Sequence, residues 1–268
     1  MRNNEDRFNP AMQAPSPGGL HYVVPTELVE LPSKGMFYPE GHPLHRQEFV
    51  EIKHMTAKEE DILTSTTLIE KGVVLEYLVA SLLMNKQINP KSLLPGDQNA
   101  ILLNARINAY GGDYSFETKC ESCTKLVQSE VDLSEINVKE LNNEYHIDGE
   151  GYINLTLEKS NFSIKLQQLN LYDIESSQKN NNHHSTVGST SKLLLNIIRS
   201  INNETNDGSL KFINAIENLP SKDVRQIKEA YNKTKPDIDF SLKMVCPSCG
   251  HKKEGTMPIT ARFFWPDA

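Results

Sequence analysis

Cys120-Glu-Ser-Cys123 and Cys246-Pro-Ser-Cys249 are the stretches that decide the fold, because they hold all four cysteines of the chain. A Cys-x-x-Cys pair places two thiolates on one tight turn, and two such pairs complete the tetrahedral shell that structural Zn²⁺ prefers. Pro247 and Gly250 suit the tight backbone of the second turn. The sequence therefore predicts a structural zinc site with four ligands, Cys120, Cys123, Cys246 and Cys249.

Two other uses of the cysteines are less favoured. Two disulfide bonds are one alternative. The stretch from Met1 to Pro10 is polar and charged and does not resemble a secretory signal, so we expect the thiols to stay reduced. A thioredoxin-like redox pair is the other, and it is disfavoured because no strand–helix pattern follows either motif. Four cysteine ligands leave no open position for water or substrate, so the predicted metal supports folding rather than catalysis.

The residues around each cysteine pair predict a β-hairpin with the pair at its tip. Phe116–Lys119 leads into the first pair and Lys125–Leu133 leads out with rough alternation, while Phe240–Val245 and Lys252–Ile259 flank the second. The two halves are far apart in sequence, since 122 residues separate Cys123 from Cys246. Zinc would hold the two tips together, and the chain between them would be a long insertion.

The predicted fold class is α+β: an N-terminal helical part, a small antiparallel β unit stapled by the four-cysteine zinc site, and an inserted helical lobe. A third hairpin over residues 152–166 is expected to join the zinc-clasped sheet. The expected divisions are an extended arm (1–28), a strap with a three-helix domain (29–110), the zinc-clasped β domain with its aromatic tail (111–166 and 237–268), and the inserted lobe (167–236).

Helical periodicity supports the helical parts of this map. Thr56 with Glu59 three residues later is a capping box, which predicts a helix that begins there. Apolar residues at helical spacing predict a second helix over 73–86. Asp97 is expected to cap a third helix over 98–110, which Gly111 ends. Three more helices are predicted in the lobe, over 191–201, 210–218 and 223–233.

Composition excludes several classes of function. The chain of 268 residues has a net charge of −7 and a pI near 5.7, which gives no global attraction to nucleic acid or anionic membranes. No apolar run approaches the roughly 20 residues that span a bilayer. Phosphate-binding, dinucleotide-binding and hydrolase motifs are absent from the sequence. The sequence therefore favours a protein that acts through assembly over an enzyme.

The C-terminal segment is rich in aromatic residues. Phe263, Phe264 and Trp265 are consecutive, and Trp265 is the one tryptophan of the chain. Two interpretations stay open: the cluster packs under the N-terminal helices, or it binds a partner, because clustered Phe and Trp supply much of the energy at interfaces. Residues 1–20 are polar and rich in proline and glycine, and they are expected to form a flexible arm, either without fixed structure or ordered on a neighbouring subunit.

Two stretches carry a resemblance to a known family. Val29-Glu-Leu-Pro-Ser-Lys-Gly-Met-Phe-Tyr-Pro-Glu-Gly-His-Pro-Leu44 and Val50-Glu-Ile-Lys-His-Met-Thr-Ala-Lys-Glu-Glu-Asp-Ile-Leu63 resemble the baseplate hub family of T-even-like contractile-tailed bacteriophages. Residues 68–74 and 96–102, the paired Cys-x-x-Cys motifs and the aromatic tail fit the same pattern. The resemblance covers roughly residues 29–125 and 237–268, and residues 167–236 add nothing to it.

The resemblance implies a virion protein of the phage tail baseplate, near the tail tube and spike, with other hub and tail proteins as partners. Assembly would take place in the host cytoplasm, in or around a ring of repeated copies. Lys34, Phe37 and Tyr38 in the strap would contact neighbouring subunits, unless the strap packs on its own domain. A transient hub assembly chaperone and, less favoured, a zinc-ribbon nucleic-acid binder remain as alternatives.

Overall fold

A computed structural model of the protein describes residues 23–141, 144–180, 188–257, 259 and 261–264. The predicted arm falls mostly on residues 1–22, which lie outside the described part. Within the described residues the chain forms eight α-helices and four small antiparallel sheets, so the predicted α+β class is confirmed. No helix in this part of the chain is long and apolar enough to cross a bilayer.

The N-terminal part combines one hairpin with four helices. Strands β1 (Thr26–Glu30) and β2 (Phe49–Lys53) pair antiparallel. The predicted capping box is confirmed, since the Thr56 N–H and hydroxyl both donate to Glu59 and the Thr56 side chain also accepts from the third helical residue. The helices are α1 (Ala57–Thr64), α2 (Thr66–Glu70), α3 (Val74–Leu82) and α4 (Pro95–Tyr110), with a 3₁₀ turn at Pro90–Ser92.

Helix α4 begins earlier than the sequence predicts. Pro95 occupies its first turn, where a missing N–H is harmless, and Leu94 is the residue before the helix. The expectation that Asp97 caps this helix is therefore wrong: Asp97 lies inside the first turn and is fully buried. At the other end Gly111, with φ 84°, ends the helix as predicted.

A five-stranded sheet occupies the middle of the chain. The predicted hairpin over 152–166 exists, but it pairs with Ile198–Ile201 from the lobe and not with the zinc-clasped hairpins, so that part of the prediction is wrong. The sheet consequently joins residues on both sides of the expected boundary at 166. Its order is β5 (His146–Ile147), β6 (Ile153–Thr156), β7 (Ser163–Leu166), β8 (Ile198–Ile201) and β9 (Glu204–Thr205).

Four helices in the described part of the lobe contribute apolar residues to the core that also contains this sheet. The predicted helix over 191–201 is too long, because Ile198–Ile201 leaves the helix and continues as strand β8. Residues 210–217 and 221–233 form helices close to their predicted bounds. The helices are α5 (Leu171–Asn180), α6 (Ser189–Ile197), α7 (Leu210–Glu217) and α8 (Ser221–Lys233).

Two further hairpins carry the cysteine pairs, as the sequence predicts. Strands β3 (Asp113–Lys119) and β4 (Leu126–Asp132) pair in register, and so do β10 (Ser241–Val245) and β11 (Lys252–Thr256). A bridge between Val138 and Ile238 ties the bases of the two hairpins together. The two hairpins are thus joined by backbone pairing at one end and by their cysteines at the other.

Among the residues that the structure describes, one contiguous apolar core links the N-terminal part, the sheet and the lobe, and the residues around the cysteines form a small separate cluster. The main core contains residues of β1, the N-terminal helices, the five-stranded sheet and the lobe. It also contains Phe263 and Phe264 from a 3₁₀ turn at Ala261–Phe264.

Candidate metal centre and surrounding contacts

Each cysteine pair sits on a tight turn, and the two turns have matching hydrogen bonds. The N–H of Cys120 donates to Lys125 O at 2.9 Å, and the N–H of Cys246 donates to His251 O at 2.9 Å. Thr124 and Gly250 occupy equivalent positions with φ of 59° and 69°, a left-handed conformation that glycine adopts without strain. The two hairpin tips are therefore built alike.

The four sulfurs converge between the tips. Sγ of Cys120 lies 3.7 Å from Sγ of Cys249, and Sγ of Cys123 lies 3.6 Å from Sγ of Cys246. All four sulfurs lie within 4.8 Å of one another. A Zn–S bond of about 2.3 Å places the corners of a tetrahedron about 3.8 Å apart. The donor set and its spacing therefore fit a metal ion at the centre of the cluster.

The surroundings of the thiols favour the anionic form at two of them. N–H groups of Cys123 and Ser122 donate to Cys120 and lower the pKa of its thiol. Burial raises the pKa of Cys246, but N–H donors of Ser248 and Cys249 outweigh this effect and lower it to about 7.

Cys123 shows the opposite shift. The Lys125 N–H lowers the pKa of its thiol, but burial and hydrogen bonds to the thiols of Cys246, Cys249 and Cys120 raise it to about 11. Four thiolates this close repel one another, and a bound cation relieves that repulsion.

An ion pair crosses from one tip to the other beside the cluster. Nζ of Lys253, on β11, lies 2.6 Å from Oε1 of Glu121, between the first two cysteines. Both side chains are partly exposed, so this pair adds little to stability on its own. It does place a carboxylate of one tip against a lysine of the other.

The strap residues that the resemblance singled out divide into two groups. Phe37 and Tyr38 are buried in the core of their own chain. For these two residues the strap packs on its own domain, which the sequence analysis kept as the alternative to a contact with a neighbouring subunit. Lys34 is exposed and has φ 48°. In this conformation Lys34 is the one of these three side chains that a neighbouring subunit can reach.

The aromatic tail divides in the same way. Phe263 and Phe264 are fully buried, with their rings edge to face at 5.5 Å and Phe263 tilted against Tyr114 at 5.2 Å. These two residues therefore follow the first interpretation, in which the aromatic cluster packs inside the protein. Neither side chain is exposed to a partner. Trp265 lies outside the described residues.

Two buried polar residues hold the strap and the tail, and sequence analysis missed both roles. Asp97 accepts hydrogen bonds from the Ser33 N–H, the Ser33 hydroxyl and the Tyr38 hydroxyl. Arg106 is fully buried and donates to the backbone oxygens of Phe263, Gly111 and Asp113. The helical pattern of α4 gave no signal for either role, because buried residues lie on all sides of this helix.

The fold and this site define a mixed α+β protein whose two distant hairpins converge on a closed four-cysteine centre suited to a metal ion. A family model described as T4 bacteriophage base plate protein matches residues 25–265 of the chain. The chain belongs to this family. No curated protein and no solved structure gives a significant match. The family membership supports a structural role in the baseplate of a phage tail, in contact with other baseplate or tail proteins.

Proposed function

We propose that this protein is a non-enzymatic structural and assembly component of the baseplate hub, near the tail tube and spike. The observation that carries the proposal is the family match over residues 25–265, which spans the strap, both hairpins and the lobe. The protein acts through contacts with other hub and tail proteins, in or around a ring of repeated copies. It assembles in the host cytoplasm and is retained in the virion.

The metal of the four-cysteine centre is structural Zn²⁺ in this proposal. Cys120, Cys123, Cys246 and Cys249 hold it, and the spacing of their sulfurs supports a tetrahedral site. Zinc supplies a charge that stabilises the thiolates and a cross-link between two hairpins distant in sequence. Four protein ligands leave no position for a substrate, which supports a folding role.

Lys34 is the strap residue through which we expect a contact with a neighbouring subunit. Its side chain is exposed between the buried residues Ser33 and Gly35, and a surface charge of this kind steers and orients association. Lys34→Glu reverses the charge without touching the core. Lys71→Glu is the matched control, since Lys71 is also exposed and lies just after helix α2.

Mass spectrometry of purified virions and affinity capture from infected cells test the proposal together. Recovery of the protein in virions, and capture of hub proteins that Lys34→Glu weakens and Lys71→Glu does not, supports it. Capture of hub proteins without the protein in virions would instead identify a transient assembly chaperone. Association with nucleic acid that falls steeply with salt, without hub proteins, would favour the zinc-ribbon alternative.

A further inference from the structure

A cleft separates the two cysteine-bearing hairpins between their joined ends. Asp239 N–H donates to Asn137 O and helps to join the hairpins at the base, while the cysteines join them at the tips. Between these ends β4 and β10 do not pair, and each belongs to its own two-stranded sheet. The cleft between them has a volume of about 580 Å³. It is therefore a slot, fixed at both ends, that fits a few residues of extended chain and not a folded domain.

Strand β4 has a free backbone edge beside this cleft. Cys120 N–H donates to Lys125 O at the hairpin tip, so the odd-numbered residues along β4 direct their backbone groups toward β3. Because this direction alternates along a strand, the N–H and C=O groups of Glu130 and Asp132 point away from β3. Within the described residues no backbone group pairs with them.

Strand β10 has a free edge as well. Cys246 N–H donates to His251 O, so even-numbered residues face β11, and the backbone groups of Lys243 and Val245 point away from it. Asp239 is also odd-numbered, and its N–H donates across to the other hairpin, so this edge of the chain faces that hairpin. A free strand edge is a template for another strand.

The two faces of β4 differ in chemistry. Glu130 and Asp132 are exposed on one face, whereas Val127 is buried and Val131 is half-buried on the other. Phe116, which is half-buried on β3, lines the cleft next to Val131. A strand laid along this edge therefore meets carboxylates with every second side chain and apolar groups with the others.

The cleft is acidic. Its described lining contains no lysine, arginine or histidine but four carboxylates, which belong to Glu130, Asp132, Glu135 and Asp239. In the part of the chain that the structure describes, none of the four forms an ion pair. Hydrogen bonds from Ser241 and the charge of Lys139 lower the pKa of Asp239, which keeps it ionised. This charge favours a cationic occupant and repels nucleic acid.

We propose that the cleft binds an extended segment of a partner protein in which lysine or arginine alternates with apolar residues, added as a strand to the edge of β4. Its basic side chains lie against Glu130 and Asp132, and its apolar side chains cover Phe116 and Val131. Backbone hydrogen bonds hold the segment, and the alternation selects it. The inference rests on the proposed function only for the source of the segment, another baseplate or tail protein.

Fluorescence anisotropy of a labelled peptide of four Lys-Val repeats, with the full-length, zinc-loaded protein, tests the cleft. A peptide of four Glu-Val repeats is the charge control. The variant Glu130→Lys with Glu135→Lys reverses two cleft carboxylates. The matched control, Glu70→Lys with Glu217→Lys, makes the same change in net charge at exposed residues of α2 and α7.

We expect the Lys-Val peptide to bind the wild type with a dissociation constant of about 100 μM or less, and the Glu-Val peptide not to bind. The cleft variant should raise the dissociation constant at least about tenfold, and the control less than about twofold. If the cleft variant does not fold, as circular dichroism reports, Glu130→Gln with Glu135→Gln decides, with a rise of at least about threefold.

Two further peptides test the addition of a strand, one N-methylated at its lysines and one at its valines. Alternate N–H groups face the paired edge, so at least one of these peptides should lose binding. The inference is overturned if the wild type does not bind at about 1 mM, if cleft and control variants weaken binding equally, or if both methylated peptides bind like the parent. Each of these results leaves the virion and capture tests of the proposed function unaffected.

Discussion

The hydroxyl of Tyr38 donates a hydrogen bond to Oδ2 of Asp97 at 2.6 Å, between two residues that are 59 positions apart and almost fully buried. Ser33 adds two more donors to the same carboxylate, at 2.9 and 2.6 Å. The Tyr38 oxygen also accepts from the Leu94 N–H at 3.1 Å. This network fastens the strap to the first turn of helix α4.

We predict that Asp97→Ala lowers the free energy of unfolding by about 2–3 kcal/mol, because it leaves buried donors of Ser33 and Tyr38 without an acceptor. Tyr38→Phe removes one of these donors and should have a smaller effect, about 1–2 kcal/mol. Urea denaturation measures both. Stability within experimental error of the wild type in Asp97→Ala would show that the network does not hold the strap.

The stability of the protein should fall with acid through Glu59. This buried carboxylate accepts from Lys53 Nζ and Ser81 Oγ, both at 2.5 Å. Burial raises its pKa, but these donors and Thr56 outweigh burial and lower it from 4.5 to about 2. A carboxylate with a lowered pKa stabilises the fold above pH 4.5, and that contribution is lost as the pH falls toward 2.

The contribution of Glu59 is at most about 3 kcal/mol. Glu59→Gln cannot ionise, so its unfolding free energy should lack this part of the pH dependence. Denaturation of both proteins at about pH 6 and about pH 3 measures the difference. Equal pH dependence in the two proteins would contradict the assignment.

Arg106 should hold the C-terminal turn in place. Its guanidinium donates to Phe263 O at 3.1 Å and to Gly111 O at 2.8 Å, and it lies 5.2 Å from the ring centre of Tyr110. Arg106→Met keeps a long apolar stem but leaves these carbonyls without a donor, so we expect destabilisation of about 2–3 kcal/mol.

Hydrogen exchange in residues 261–264 measures the local effect, and Arg225→Met, at an exposed arginine of α8, is the control. Faster exchange of the turn in Arg106→Met alone supports the clasp. Equal protection in both variants would assign the tail's position to the packing of Phe263 and Phe264.

Gly96 brings helix α4 against the chain that leaves the lobe. A Cβ at this position would lie 2.2 Å from Pro236 O and 2.8 Å from Cα of Asp237. Gly96→Ala should therefore destabilise the fold by at least about 2 kcal/mol, because backbone must move. Gly149→Ala, whose Cβ meets only Arg46 at 3.8 Å, should stay within about 0.5 kcal/mol of the wild type. Thermal unfolding compares the two variants.

The sequence predicts features that depend on local chemistry. The capping box of Thr56 and Glu59 needs residues three positions apart, and the end of α4 needs only Gly111. The hairpins around the cysteines are also local, since each pair lies between alternating strands. The convergence of four cysteines followed from the ligand number that a metal requires, although the halves are far apart.

Features set by distant partners were not predictable in this way. Alternation in residues 152–166 indicates a hairpin but does not say which strand lies beside it, so the pairing of β7 with β8 was missed. The Leu- and Ile-rich run before Ile201 fits a helix equally well until sheet pairing selects a strand. Asp97 resembles a cap in the sequence because it precedes the predicted helix over 98–110. The Ser33 donors that it binds are 64 positions away, so no local pattern points to them.

The central claim is that a metal bound by four cysteines joins the two hairpins, and elemental analysis of protein purified under reducing conditions without chelator tests it most directly. We predict one zinc ion per chain in the wild type and in Ser122→Ala. We predict that Cys246→Ser loses both the zinc and the cooperative unfolding transition. A wild type without bound metal, with a Cys246→Ser variant equally stable, would contradict the account.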